Sequence, residues 1–197
     1  MNQTWNQRYA EKDFAYGLLP NEFLKEQLEK LPKGNILLPC EGEGRNAVYA
    51  AQNGWNVTAF DFSEAGFEKA NLLANQNQVT INYSIADALE ITFEPESFDA
   101  IAIIYAHFPE KVRIQFHAKI MTWLKPGGSI ILEVFNPLQL NNTSGGPKDV
   151  SMLYTKEIIE HDFKKLTTKL ISLDSIVLNE GKYHQGNAEV IRYVGIK

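Results

Sequence analysis

Residues 35–61 read NILLPCEGEGRNAVYAAQNGWNVTAFD. The apolar run Asn35–Leu38 has the length of a buried strand. A glycine-bearing turn follows, then a helical stretch from about Asn46 to Asn53, closed by Gly54. Trp55–Phe60 reads as a second strand and runs into the acid Asp61. Strand, glycine turn, helix, strand is the opening unit of a doubly wound α/β sheet. Upstream, Asn21 is placed to cap a helix with Leu24, Leu28 and Leu31 on one face, ended by Pro32 and Gly34. Downstream, Ser63 caps a helix carrying Phe67, Ala70, Leu73 and Ala74 inward, and Ile81–Ile85 is a third strand. Phe98–Ile104 (FDAIAII) is apolar nearly throughout, as a strand buried on both faces requires. Pro109 opens a helix with Val112, Phe116, Ile120 and Trp123 at helical spacing, and Lys125–Gly128 stops it before a fifth strand, Ser129–Val134. Thr155 caps a short helix. Two β-like runs, around Leu166–Leu178 and Ala188–Ile196, are joined by Glu180–Gly186 at hairpin length. Five strand–helix alternations predict an α/β fold, a Rossmann-like three-layer sandwich with a closing antiparallel hairpin.

Composition narrows the function. The chain has 197 residues, 44% of them apolar, and a net charge of −5. The acidic balance argues against nucleic acid and anionic membranes as partners, because both need concentrated basic surface. No apolar stretch approaches the roughly 20 residues of a membrane span. The polar N-terminus has no signal-peptide pattern, so a cytoplasmic protein is expected. One cysteine, Cys40, makes no internal disulfide, and the four histidines show no metal-ligand spacing, so no metal is expected.

Chemistry is sought at the carboxyl ends of the strands, where open α/β sheets bind ligands. Gly42, Gly44 and Ala47 fit a loose G-x-G-x-x-A turn after a strand, and Asp61 follows Gly42 by 19 positions, where an acid bridges the ribose hydroxyls of an adenosine. A dinucleotide would bring its pyrophosphate beside Glu41 and Glu43, a repulsion of roughly a kcal/mol for each carboxylate. S-adenosylmethionine has no phosphate; its sulfonium and ammonium favour a carboxylate here. Asp87, beside Ala88 after the third strand, is placed to accept from an adenine amino group, and Tyr105, beyond the fourth strand, to pack on the methionine portion. Turn formation and ordinary packing are the competing readings of these two. With Tyr16 and Phe62, the candidate cofactor set is Tyr16, Glu41, Gly42, Gly44, Asp61, Phe62, Asp87, Ala88 and Tyr105. Trp5, Tyr9, Phe14 and Tyr16 form an aromatic cluster that either covers the cofactor or staples the N-terminal segment to the core. Asn141–Lys148 reads as a lid or a surface excursion. His107 is at the right sheet edge to touch a substrate, whereas His117 and His161 are expected at the surface.

These stretches resemble the class I S-adenosylmethionine-dependent methyltransferases, and more narrowly the branch of tellurite-resistance-type and thiopurine-type enzymes. The resemblance rests on ILLPCEGEGRNAVYAAQNGWNVTAFDFS, IADA, FDAIAIIYAHFP, WLKPGGSIILEVF, the N-terminal WNQRYAEKDFAYGLLPNEFL and the tail EGKYHQGNAEVIRYVGIK. It implies a seven-stranded, mostly parallel sheet with an antiparallel last strand. It also implies one methyltransferase domain over 1–197: a helical cap in 1–33, a cofactor-binding core in 34–135, and a lid loop, helix and hairpin in 136–197. Its pattern opens with an acid and G-C-G; here Leu38, Pro39, Cys40 and Glu41 stand instead, which leaves the ammonium contact to Glu41 or to backbone carbonyls. By the same resemblance, His184 and Arg192 are the candidate acceptor-side residues, His184 orienting or deprotonating a substrate and Arg192 binding an anionic one; pairing of Arg192 with Glu180 or Glu189 is the alternative. The expected partner is a small-molecule acceptor, with a soft sulfur, selenium or tellurium nucleophile as the candidate, and the expected state a monomer or weak homodimer. A non-catalytic cofactor-binding sensor or partner subunit is the second reading, and a nicotinamide-dependent oxidoreductase the third.

Overall fold

The computed structural model describes residues 2–197, with side chains from Trp5 onward. Helices α1 (Asn2–Tyr9) and α2 (Glu22–Leu28) precede strand β1 (Asn35–Pro39). Then come α3 (Arg45–Gln52), β2 (Asn56–Asp61), α4 (Glu64–Gln76), β3 (Asn82–Ile85), β4 (Phe98–Ile104), α5 (Glu110–Trp123) and β5 (Leu124–Phe135). Two short 3-10 turns, Pro137–Asn141 and Val150–Met152, lead to α6 (Lys156–Asp162), β6 (Thr167–Glu180) and β7 (His184–Ile196). The strands form one sheet in the order β3-β2-β1-β4-β5-β7-β6. The first five are parallel; β7 is antiparallel to both β5 and β6. This is the Rossmann-like sheet expected, with the strand order reversing between β1 and β4.

Strand alternation builds two cores. Ile36 and Leu38 of β1 and Ala100, Ala102 and Ile104 of β4 face the layer of α2, α3 and α4. Leu37, Ile101 and Ile103 face α5 and α6. The period of two along a strand sends neighbours to opposite faces, which is why Ile36–Leu38 and Ala100–Ile104 are apolar without interruption. The caps act where the sequence marks them: Asn21 accepts from Leu24 N at 2.9 Å, and Ser63 and Thr155 cap α4 and α6.

Three details differ from expectation. Lys125–Gly128 does not lie between elements; α5 ends at Trp123 and β5 begins at once, the four residues bulging between the pairs Phe98↔Leu124 and Ala100↔Ser129. The hairpin connector is only 181–183, so His184 opens β7 opposite Glu180. His117 is not a surface residue. It is 1% exposed, because α6 folds back across α5 and sets Asp162 Oδ2 at 2.8 Å from its Nδ1. His161 is exposed.

Gly181 closes the hairpin at φ +64° against the 15–17 segment, and an added Cβ would lie 2.5 Å from Ala15 O and against Gly17 N. Gly127 has a similar φ of +78° with open space around it. Gly181→Ala is expected to cost about 2–4 kcal/mol in urea unfolding, conformational strain plus the clash, and Gly127→Ala about 1 kcal/mol, strain alone.

Candidate functional site

A cavity of about 350 Å³ opens at the carboxyl ends of β1 and β4. Trp5, Arg8 and Tyr9 of α1 close one side, the 146–149 loop closes another, and Tyr16, Glu41, Tyr105, His107 and His184 stand on its wall.

Cys40, Glu41, Arg45 and Asn46, which flank the glycines of the turn, form its base. Gly44 opens α3 at φ +85°, and a Cβ there would sit 2.6 Å from the Cβ of Ala70, so the residue type permits the close approach of α3 to α4. Glu41 caps α3, accepting from Asn46 N and Ala47 N at 2.8 Å each with Oε1. Its Oε2 has only Asn46 Nδ2 at 3.4 Å. Desolvation raises its pKa to about 7, against the lowering pull of the helix amides and Arg45. Glu43 is turned away, paired with Lys69 Nζ at 2.7 Å and accepting from Ala15 N at 2.7 Å. The charge argument made for two carboxylates therefore rests on Glu41 alone.

Asp61 is 3% exposed and accepts from Gly42 N at 3.2 Å and Ser63 N at 2.9 Å; burial lifts its pKa to about 6. The Tyr9 ring covers Gly42, its hydroxyl 2.6 Å from where a Cβ would be. Gly42, Gly44 and Asp61 thus lie outside the cavity wall. Phe62, Asp87 and Ala88 are off it too; Asp87 is exposed and turns the chain by accepting from Leu89 N at 2.8 Å. Of the aromatic cluster, Trp5, Tyr9 and Tyr16 pack together with ring centroids 5.8–6.5 Å apart, while Phe14 joins the α2–α4 core beside Lys69.

The two histidines at the cavity differ in what they have left to offer. His107 Nε2 accepts from Phe135 N at 3.2 Å, so Nδ1 carries the proton and donates to Met152 O at 2.8 Å. Both nitrogens are occupied by backbone, and desolvation drops its pKa to about 4. It clamps β5 to the Val150–Met152 turn. His184 is 5% exposed, with Nδ1 3.0 Å from Glu180 Oε2 and Nε2 without a hydrogen-bond partner among the described residues. Its ring is held by Tyr16, Tyr105 and Phe135 at 4.4, 4.7 and 5.5 Å.

Arg192 is separate from His184. The antiparallel register sets it opposite Glu133, whose Oε2 takes its Nε at 2.6 Å, with Asp174 at 3.8 Å. Neither Glu180 nor Glu189 is its partner. It lines an adjoining hollow, which shares Tyr16, Arg45 and Tyr105 with the cavity and has Glu180 on its own wall. Glu133 is fully buried and also accepts from Asn21 Nδ2 and Tyr105 OH, at 2.6 Å each. Arg8, Arg45 and Glu180 were not candidates from the sequence. The four-residue spacing of Glu180 and His184 is the one signal of their pairing; the sequence offers Glu180 only as an alternative partner of Arg192.

The fold and this turn are those of a Rossmann-like α/β sheet, and the chain is similar to known proteins in sequence and in fold. Residues 36–128 match the family described as Methyltransferase domain. Among relatives, the chain is 29% identical over 113 residues to 2-methyl-6-phytyl-1,4-hydroquinone methyltransferase of Synechocystis sp., covering 55% of this chain and 35% of that one. It is 29% identical over 142 residues to probable thiol methyltransferase 2 of Arabidopsis thaliana, covering 70% and 62%. Both matches span less than two thirds of those relatives' lengths. Among solved structures, TehB from Haemophilus influenzae superposes with a TM-score of 0.74 at 12% identity, over 100% of this chain and 66% of that one. Burkholderia thailandensis 1,6-didemethyltoxoflavin-N1-methyltransferase, solved with S-adenosylhomocysteine, gives 0.68 at 17%, over 90% and 77%.

The neutral burial of His107 has a pH consequence. Its folded pKa lies below the unfolded value of 6.5, so its contribution is present above that value and is lost as pH falls toward about 4. Wild type is expected to lose about 3 kcal/mol more than His107→Gln between pH 7 and pH 4 in urea unfolding.

Proposed function

We propose that the protein transfers a methyl group from S-adenosylmethionine to a small acceptor bearing a thiol or a related soft nucleophile. The observation that carries this is one cavity with a desolvated, cation-seeking carboxylate, Glu41, and an imidazole with an unpartnered nitrogen, His184, both on its wall.

The donor set fits the cofactor. Glu41 Oε2 is available to an ammonium or sulfonium, and Tyr9, Tyr16 and Tyr105 offer aromatic faces to a cation. Asp61 retains lone pairs beyond the two it gives to backbone amides, suited to ribose hydroxyls. The reading takes Tyr16, Glu41 and Tyr105 as direct contacts, and Gly42, Gly44, Asp61, Phe62, Asp87 and Ala88 as the adenosine side, reached when Tyr9 leaves Gly42. When bound, the cofactor supplies an electrophilic methyl group. The chain's own work is then to exclude water beneath α1 and the 146–149 loop, to hold the acceptor against the Tyr105 and Phe135 rings, and to take its proton at His184 Nε2. A thiol that is protonated at neutral pH needs that base, and a hydroxyl needs it more strongly. The cavity size favours a small acceptor. The thiol methyltransferase relative supports sulfur. Arg192, committed to Glu133, supports Tyr105 in this reading rather than touching the acceptor.

Incubation with labelled S-adenosylmethionine and a panel of thiols, selenite, tellurite and catechols is expected to label a thiol. Tight cofactor binding without turnover on any acceptor would instead make this a binding module. His184→Gln should lower turnover by about 10²-fold or more while leaving cofactor affinity near wild type.

Cofactor affinity should rise with pH. A cationic ligand prefers the ionised Glu41, whose pKa is about 7, so calorimetric affinity is expected to strengthen from pH 6 to pH 8. Glu41→Gln should weaken binding by about tenfold at pH 8 and flatten the dependence.

A further inference from the structure

Glu180 Oε2 is shared by two donors, Arg45 Nη2 at 2.9 Å and His184 Nδ1 at 3.0 Å. The three side chains are 15%, 8% and 6% exposed. An ionised carboxylate has no proton to give, so the shared hydrogen on the imidazole side belongs to Nδ1, and Nε2 is left with its lone pair. Arg45 is held elsewhere as well: Nη1 donates to Tyr16 O at 3.3 Å and Leu19 O at 3.2 Å. It therefore anchors, although it borders the cavity. Arg45 also opens α3, directly after Gly44 of the cofactor turn.

We propose that Glu180 and Arg45 are positioning residues for His184, Glu180 holding the imidazole in the tautomer that keeps Nε2 an acceptor and Arg45 tying that carboxylate to the cofactor turn. The inference rests on His184 being the base of the proposed reaction. It is the carboxylate–imidazole logic of hydrolytic triads, with an arginine behind the acid. The surroundings allow His184 little other freedom. Tyr183 N donates to Ala15 O at 3.3 Å, Lys182 pairs with Glu11 at 2.8 Å, and Gly145 backs the ring so closely that a Cβ there would be 2.6 Å from its Cδ2.

Every element packed on His184 contributes charge or a titrating group. Glu180 comes from β6, Arg45 from α3, Arg8 from α1, Tyr16 from the segment after α1, and Tyr105 and His107 from the end of β4. Lys148 and Asp149 of the lid loop border the same cavity. Burial and the two arginines lower the His184 pKa, and Glu180 opposes them. The imidazole is thus neutral near pH 7, and removal of the Glu180 charge should lower its pKa further.

The test is nitrogen-15 NMR of the imidazoles in the full-length protein, with only four histidines to resolve and His184→Gln to assign the signal. Wild-type His184 is expected as the Nδ1–H tautomer. Glu180→Gln should lower its titration midpoint by about one pH unit, and Arg45→Gln should allow the Nε2–H tautomer to appear. A wild-type Nε2–H tautomer, or a midpoint unchanged in Glu180→Gln, overturns the proposal. A kinetic arm uses S-adenosylmethionine with 2-mercaptoethanol, an alkyl thiol that is protonated at about pH 7. If Glu180 acts through His184, Glu180→Gln/His184→Gln is no slower than His184→Gln alone; additive losses overturn the proposal. Wild-type turnover in His184→Gln instead removes the base assignment, and the NMR result then stands apart from it.

Discussion

One buried ion pair joins the two ends of this chain's chemistry. Arg45 stands at the start of α3, directly after the glycine turn, and Glu180 at the end of β6, 135 residues later. Desolvating two such charges costs several kcal/mol, and the pair is tolerable because each partner is further satisfied, Arg45 by two carbonyls and Glu180 by His184. Removal of either partner strands a buried charge. The arrangement thus contributes less to net stability than to geometry: it sets the hairpin, the 16–19 segment and the glycine turn in one relation, and the cavity is the space they leave.

Three carboxylates near this space are resolved in three ways. Glu41 meets the first amides of a helix, where the partial positive charge favours an anion, and keeps one oxygen for the cavity. Asp61 is held by two backbone amides behind Tyr9. Glu133 has no exposure and is saturated by an amide, a phenol and a guanidinium. The first two keep raised pKa values because their hydrogen bonds do not repay desolvation. These are the groups with capacity for a further partner. Glu133 has spent its capacity on orienting Tyr105.

The covering layer is built from aromatic contact and one cation. Arg8 lies over the rings of Trp5, at 4.8 Å, and Tyr183, at 4.3 Å, and donates to Tyr16 OH at 2.7 Å. Asn6 accepts from Ser63 Oγ at 2.8 Å, which ties α1 to the end of β2. These contacts are local and few compared with the sheet, so α1 has a lower cost of opening than any strand beneath it.

The sequence by itself determined the alternation of elements, the two-faced burial of β1 and β4, the glycine turn and the acid that ends β2. These follow from periodicity, caps and glycine chemistry, all of which act within a few residues. Tyr16, Glu41, Tyr105 and His184 were also legible, as residues just past strand ends or in the tail. What tertiary structure alone decided was partnership. Insertion of β7 between β5 and β6 gave Arg192 to Glu133 and left Glu180 to His184 and Arg45. Packing of α6 on α5 buried His117, and α1 drew Tyr9 over Gly42. Pairing across a sheet depends on register, and a shift of one residue exchanges every partner; no local pattern carries that information.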